Sequence, residues 1–288
     1  MDAVRKIADE QVALWNGPAG RAWADERAIL DRMFKPFEEL LVAAVPAGSG
    51  GRVLDVGCGT GATTLALAGR LGPAGHCVGI DLSEPMIAIA RLRAQRDGAS
   101  AQFLLGDAET YAFEPAGFDR IVSRFGVMFF DDPVAAFANL KRAAKADAEL
   151  RVAVWRSPAE NPFMTTAERT AAPLLPAAPA RRPDAPGQFA LADPDLVRRI
   201  LEGSGWRDVE IDPVDLDCSF PEASLVPFLS RLGPLGLFLS TADQPTRARI
   251  VETVRPAFES YVRGGEVRFT AACWTVGARA ASADTNSR

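Results

Sequence analysis

The run from Arg52 to Ala68, R-V-L-D-V-G-C-G-T-G-A-T-T-L-A-L-A, leaves this chain few folds to choose from. Val53, Leu54 and Val56 form a short apolar segment flanked by glycine, and from Thr63 to Ala68 an apolar pattern resumes on good helix formers. That spacing predicts a strand, a tight turn and a helix in direct succession. Gly57, Gly59 and Gly61 carry no Cβ, so the turn can take strained dihedrals. A ligand can then lie against its peptide planes, at the positive end of the helix.

With Ala62 included, the run satisfies the loose dinucleotide pattern G-x-G-x-x-G/A, which several cofactor folds share. Asp55 separates the ligands. A carboxylate two residues before the first glycine would repel a pyrophosphate, but it suits a ligand that brings an ammonium group there. Two further acids follow in register. Gly75 to Leu82 reads as a second strand ending in Asp81, which comes 24 residues after Gly57; a carboxylate at about that offset of 20 residues binds the two hydroxyls of a ribose. Gln102 to Ala108 reads as a third strand ending in Asp107. Its carboxylate can accept from an adenine amino group while the Ala108 N–H donates to a ring nitrogen, although an acid at a strand end also serves as a plain loop residue or cap. The helix between these strands is expected to start at Ser83 as cap, with Pro85 in its first turn, and to run to about Gln95.

Phe118 to Val127 reads as the fourth strand and its exit. In a doubly wound sheet the end of this strand, beside the first, lines the crevice where ligands meet, which makes Ser123, Arg124 and Phe125 candidates for a reaction cleft. Asp132-Pro133 opens a helix to about Lys145, and Glu149 to Trp155 gives a fifth strand.

The flanking segments read as cover. Residues 1–48 are helical by their three- and four-residue apolar spacing, interrupted at Trp15-Asn16-Gly17-Pro18. Trp15 and Trp23 sit where a cover meets a ligand, though tryptophans are as often packing residues. From Arg156 to Gly187 prolines are dense, as in a linker or in a structured cover, and the apolar anchors Phe163, Met164, Leu174, Leu175 and Phe189 favour the cover. Asp193-Pro194 caps a further helix, Trp206 to Phe220 and Glu266 to Ala278 read as strands, and the apolar segment from Ser224 to Arg263 reads as helical and as lining a substrate pocket. Residues 281–288 are small and polar and are expected to be disordered.

In order, the segments L-D-V-G-C-G-T-G, G-I-D-L-S, G-D-A-E and F-D-R-I-V-S-R-F-G-V-M-F-F, with the final pair of strands, resemble class I S-adenosylmethionine-dependent methyltransferases of the small-molecule type, similar to the quinone and polyketide enzymes. The likeness is close over residues 30–155 and topological elsewhere. It implies an α/β fold: a Rossmann-like, seven-stranded, mostly parallel sheet with an antiparallel last strand, helices on both faces and a helical substrate cover. It implies one domain over 1–280, with an N-terminal cover (1–48), a cofactor-binding core (49–155), a cover and helix (156–203), and C-terminal strands (204–280) carrying a helical insertion at 221–263. It implies S-adenosyl-L-methionine as cofactor, bound by Asp55, Gly57, Cys58, Gly59, Thr60, Gly61, Asp81, Leu82, Met86, Asp107, Ala108 and Ser123. Trp15, Trp23, Arg124, Phe125 and Phe163 are the substrate-pocket candidates. The chain departs from the family at Lys145-Ala146-Asp147-Ala148, where a proline-glycine-glycine turn is usual.

No catalytic residue is assigned. The single histidine, His76, falls at the start of the second strand, remote from the ligand edge, and is read as structural. Either an acid or Tyr261 acts as base, or the acceptor arrives ionised, as a phenol or enol does in part. The D/N-P-P-Y/F motif of methyl transfer to exocyclic amines is absent after the fourth strand. With a net charge of −5, that argues against nucleic acid as partner and for a small, largely apolar molecule with an oxygen or carbon acceptor. Cys58, Cys77, Cys218 and Cys273 lack metal-ligand spacing and point to reduced thiols and no metal. No apolar run approaches the roughly 18 residues of a membrane span, and the N-terminus lacks the apolar core of a secretory signal, so the expected place is the cytoplasm. Two rivals stay open: a nicotinamide-dependent oxidoreductase on the same turn, and a non-catalytic S-adenosylmethionine-binding protein. The oligomeric state is not legible.

Overall fold

In the computed structural model, residues 10–175 and 185–281 are described. The apolar runs become strands, β1 (Gly51–Val56), β2 (Gly75–Asp81), β3 (Ala101–Leu105), β4 (Phe118–Arg124) and β5 (Ala144–Trp155), with the central β1 and β2 mostly buried and β3 partly exposed at the edge. β6 (Trp206–Pro221), the two-residue β7 (Val262–Arg263) and β8 (Glu266–Ala280) complete an eight-stranded sheet of order β3-β2-β1-β4-β5-β8-β6, with β7 on β8. β1 to β5 pair in parallel, and β8 runs antiparallel to both β5 and β6. The last strand of the chain is thus the antiparallel one, as expected, and β7 is an addition to the seven foreseen.

Because side chains alternate along a strand, the two faces build separate cores. Val53, Cys77 and Val122 join Leu67 and Leu71 of α4 (Ala62–Leu71), beside α3 (Lys35–Ala43). Leu54, Val78 and Ile121 join the larger core on the other face. α1 (Pro18–Asp25) and α2 (Arg27–Met33) precede α3, and residues 10–16 are helical ahead of them. The crossover helices are α5 (Glu84–Asp97) and α6 (Pro133–Ala143). In α6 the expected cap is present, Asp132 accepting from the Ala135 N–H at 2.9 Å. Among the described residues, no helix is long and apolar enough to cross a membrane.

Two local expectations change and two gain detail. Ser83 does not cap α5 with its hydroxyl, which donates instead to the Trp15 carbonyl at 2.7 Å; the Glu84 N–H is capped from outside by Asn16 Oδ1 at 2.9 Å. Lys145 to Ala148 are not a turn but the first part of β5, with Asp147 at φ 60°, because α6 ends at Ala143 and feeds the strand directly. Of the proline-dense segment, Pro162–Ala171 is a regular helix, α7, burying Phe163 and Ala171; Pro176, Pro179 and Pro183 lie outside the described residues. The segment from Ser224 to Arg263 holds three short helices, α9 (Leu225–Arg231), α10 (Gly233–Leu239) and α11 (Gln244–Val254), after α8 (Pro194–Gly203) and β6. The disorder expected at 282–288 also lies outside the described residues.

Candidate functional site

The glycine turn is built by contact between two strand exits. Gly57 (φ 67°), Gly59 (φ 54°) and Gly61 (φ 86°) occupy the left-handed region that L side chains rarely adopt. A Cβ on Gly57 would lie 2.5 Å from Gly126 Cα, so the chain leaving β1 presses on the chain leaving β4. Ser123 staples the two: its hydroxyl donates to the Val56 carbonyl at 2.7 Å and accepts from the Gly126 N–H at 3.1 Å. Parallel β1 and β4 at the reversal of strand order open the crevice there.

Asp81, at the tip of β2, accepts the Gly59 N–H at 2.8 Å on one oxygen and the Ser83 N–H at 2.9 Å on the other. Burial raises its pKa above the ordinary carboxylate range, and those two N–H groups oppose the rise. Asp107, past β3, accepts the Glu109 N–H at 2.9 Å. Its loop is fixed from α6 by Asn139, which donates to the carbonyls of Ala108 and Tyr111, both at 2.9 Å.

These edges border a cavity of about 1160 Å³. A single small-molecule site occupies roughly 300–1,000 Å³, so the space exceeds what one nucleoside fills. Phe125 and Trp155 stack at 4.9 Å on its floor, with Phe34 edge-on to Phe125 at 5.1 Å. The N-terminal cover is clasped to the cofactor edge: Asn16 donates to the Leu82 carbonyl at 3.1 Å while capping α5. That clasp holds Trp15 against Trp23 (5.7 Å) and Phe129 (5.1 Å) at the wall.

The cavity wall brings together Gly57, Cys58, Gly59, Thr60, Asp81, Leu82, Met86, Asp107 and Ala108 with Trp15, Trp23, Arg124, Phe125 and Phe163. Three residues foreseen as cofactor contacts stand behind it. Asp55 is 1% exposed and accepts the Thr64 hydroxyl at 2.6 Å; burial drives its pKa up to about 7, against that hydrogen bond and the nearby Arg124. The Asp55 carboxylate therefore supports the turn from beneath instead of facing an ammonium. Gly61 backs onto Phe103, whose ring would lie 2.7 Å from a Cβ. Ser123 is spent on its staple. Tyr261 is not at the wall but edge-on to Phe163 at 5.0 Å. Residues missed at the wall include Phe34, Phe129 and Trp155, while Phe228, Leu229 and Leu232 of the segment expected to line a pocket are at the wall. Trp155 ends a parallel strand next to the switch point and was open to the same rule that found Phe125; Phe34 looks in sequence like any other core residue of its helix.

An adenosine-bearing cofactor fits these groups. A Cβ on Gly59 would meet only Met86 Sδ, at 3.7 Å, so the missing side chain leaves room on the cavity side, and Asp81 faces the same room. Residues 53–147 match the family described as Methyltransferase domain. The core is a methyltransferase domain. The match decides between the two enzyme readings, for methyl transfer and against hydride transfer, and S-adenosylmethionine is the cofactor of the class I fold. Nocamycin O-methyltransferase of Saccharothrix syringae is 26% identical over 246 residues, 82% of this chain and 88% of that one. Demethylmenaquinone methyltransferase of Renibacterium salmoninarum is 28% identical over 213 residues, 71% and 86% of the two chains. The crystal structure of a SAM dependent methyltransferase from Aquifex aeolicus superposes with a TM-score of 0.50 at 18% identity, covering 86% of this chain and 91% of that one, a likeness of fold.

Proposed function

We propose that the chain transfers the methyl group of S-adenosylmethionine to an oxygen or carbon of a small, largely apolar molecule. The observation that carries the reading is the continuity of one cavity, from the glycine turn and Asp81 to the aromatic floor of Phe34, Phe125 and Trp155. Relatives named for an O-methyltransferase and for a quinone methyltransferase support the substrate class. The net charge of −5 supports a small molecule over nucleic acid. We further take residues 1–280 as one domain, and the protein as cytoplasmic, for which the four buried free cysteines speak.

Each Asp81 oxygen accepts one backbone N–H and keeps lone-pair capacity for a ribose hydroxyl. Asp107 and the Ala108 N–H would take the adenine edge, and the glycine turn would take the amino-acid end. When bound, the cofactor supplies a methyl group on a positively charged sulfur, an electrophile that needs alignment more than acid–base help. The protein's part is positioning and dryness: the Asn16 clasp keeps Trp15 and Trp23 over the cofactor edge, and the Phe125–Trp155 stack gives a flat substrate a flat surface. No histidine stands at the described wall.

Production of S-adenosylhomocysteine on incubation with S-adenosylmethionine and a panel of phenols, enols, quinones and amines tests the reading. Turnover with an oxygen or carbon acceptor is the expected result. Tight S-adenosylhomocysteine binding without turnover on any acceptor would instead make the chain a non-catalytic binder.

A further inference from the structure

Arg124 is the last residue of β4 and lines the cavity beside Phe125. One guanidinium N–H donates to the Phe34 carbonyl at 3.3 Å, and the group lies 5.9 Å over the Phe34 ring. Among the described residues, no carboxylate stands within ion-pair distance of it. The three acids whose fields reach it are engaged elsewhere: Asp31 with Arg93 at 3.0 Å, Glu38 with Lys35 at 3.3 Å, and Asp55 with the Thr64 hydroxyl at 2.6 Å. Burial holds the Arg124 pKa below the usual guanidinium range, as it does for a cation short of compensation.

The other cations at the wall differ. Arg231 is paired with Glu26 at 2.6 Å and with Asp25, while Arg21 and Arg247 are exposed and donate to the carbonyls of Asn16 and Leu239. Arg124 is thus a half-buried cation in an aromatic setting, with most of its five N–H donors unused. Removing a charge from water without a matched partner is costly, and a planar fork of donors matches an oxyanion. A function that uses the charge accounts for its place.

We propose that Arg124 is the docking point for an acidic oxygen of the substrate, so that the small molecule is an aromatic or otherwise apolar acid bound as its anion. The statement deepens the proposed function and rests on it only in calling the bound molecule a substrate. The cation lowers the pKa of the docked hydroxyl, and its proton leaves to solvent as the molecule binds. The lack of a histidine at the described wall is then no obstacle, because the oxygen arrives without the proton a base would have to remove.

The test uses two naphthalene dyes of similar shape, the anion 1-anilinonaphthalene-8-sulfonate and the neutral N-phenyl-1-naphthylamine, titrated by fluorescence against the whole chain, with S-adenosylhomocysteine titrated in parallel. The wild type is expected to bind the anion at least about 10-fold more tightly, as a charge-assisted pair gives. Arg124→Met should abolish that preference while leaving the neutral dye and S-adenosylhomocysteine within about twofold, and Arg124→Lys should restore part of it. An undiminished preference in Arg124→Met overturns the proposal. So does a loss confined to S-adenosylhomocysteine, which would put the cation on the cofactor's carboxylate. A measurement on the unaltered protein stands if the variants do not fold: bound 4-nitrophenol should ionise at lower pH than free, and a shift to higher pH overturns the proposal. Failure of the wild type to bind S-adenosylhomocysteine would sink the methyltransferase reading yet leave the dye result intact.

Discussion

The Asp81 carboxylate accepts the Gly59 N–H at 2.8 Å, so the tip of β2 holds the middle of the glycine turn in place. One side chain therefore shapes the turn and faces the cavity the turn borders. Asp81→Ala is expected to weaken S-adenosylmethionine binding by about 1.5–3 kcal/mol, roughly 10- to 150-fold in Kd, since it removes charge-assisted acceptors. Asp81→Asn keeps one carbonyl acceptor and should lose less. Isothermal titration on folded variants decides, and equal affinity in all three proteins would remove Asp81 from the ribose.

Gly126 fixes how closely the two strand exits approach. A Cβ there would lie 2.5 Å from the Val56 carbonyl oxygen and 2.6 Å from Gly57 Cα, both backbone atoms that cannot swing aside. Gly126→Ala is expected to cost about 2–3 kcal/mol of stability through overpacking. Urea unfolding measures it, and a loss under about 0.5 kcal/mol would show that β1 and β4 can part without penalty.

Phe163 and Trp15 looked alike in the sequence, as apolar anchors of a cover, and the fold separates them. Phe163 is 2% exposed, stacked on Phe269 at 3.9 Å and ringed by Phe220, Phe228, Phe258 and Tyr261. Phe163→Ala should therefore destabilise the chain by about 3–5 kcal/mol, seen as a lowered urea midpoint, before any effect on ligand is read. Trp15 is only half-buried and touches the wall with two rings as neighbours, so Trp15→Ala should reduce ligand binding with stability nearly kept. The opposite allocation of the two losses would mean that the aromatic cluster, and not the N-terminal clasp, lines the substrate.

What the sequence disclosed and what it hid follow from the range of the interactions. The strand–turn–helix at Arg52–Ala68 and the acids at the strand tips are local, written in periodicity and in glycine spacing, and Asp81 and Asp107 do reach the cavity. Asp55 misled because the sign of its charge was legible and its direction was not: whether a strand residue faces ligand or helix depends on the twist and on Thr64, nine positions away. Asn16 as the cap of α5, 68 residues distant, has no local signature at all. Nor does Phe34, whose contact with Arg124 arises from the docking of the α2–α3 junction onto the end of β4.

The buried state of Asp55 gives a pH dependence with a definite sign. Its folded pKa is raised from 3.8 to about 7 by burial, opposed by the Thr64 hydrogen bond and Arg124 and assisted by Asp81 and Glu38. For an acid raised on folding, the folded chain holds the proton over an interval in which the unfolded chain has lost it. This group therefore costs nothing below the unfolded value, costs progressively more as pH rises through the interval, and reaches its full penalty above the folded value. Three units correspond to a penalty on the order of 4 kcal/mol. Asp55→Asn keeps an oxygen to accept from Thr64 and abolishes the ionisation. Urea unfolding of the cofactor-free protein should find the variant more stable than wild type at pH 8, the gap closing by pH 4. A variant less stable at pH 8 would mean that the ionised Asp55 is favourably compensated in the folded chain as the counter-charge of Arg124, which would also weaken the case for an anion docked there.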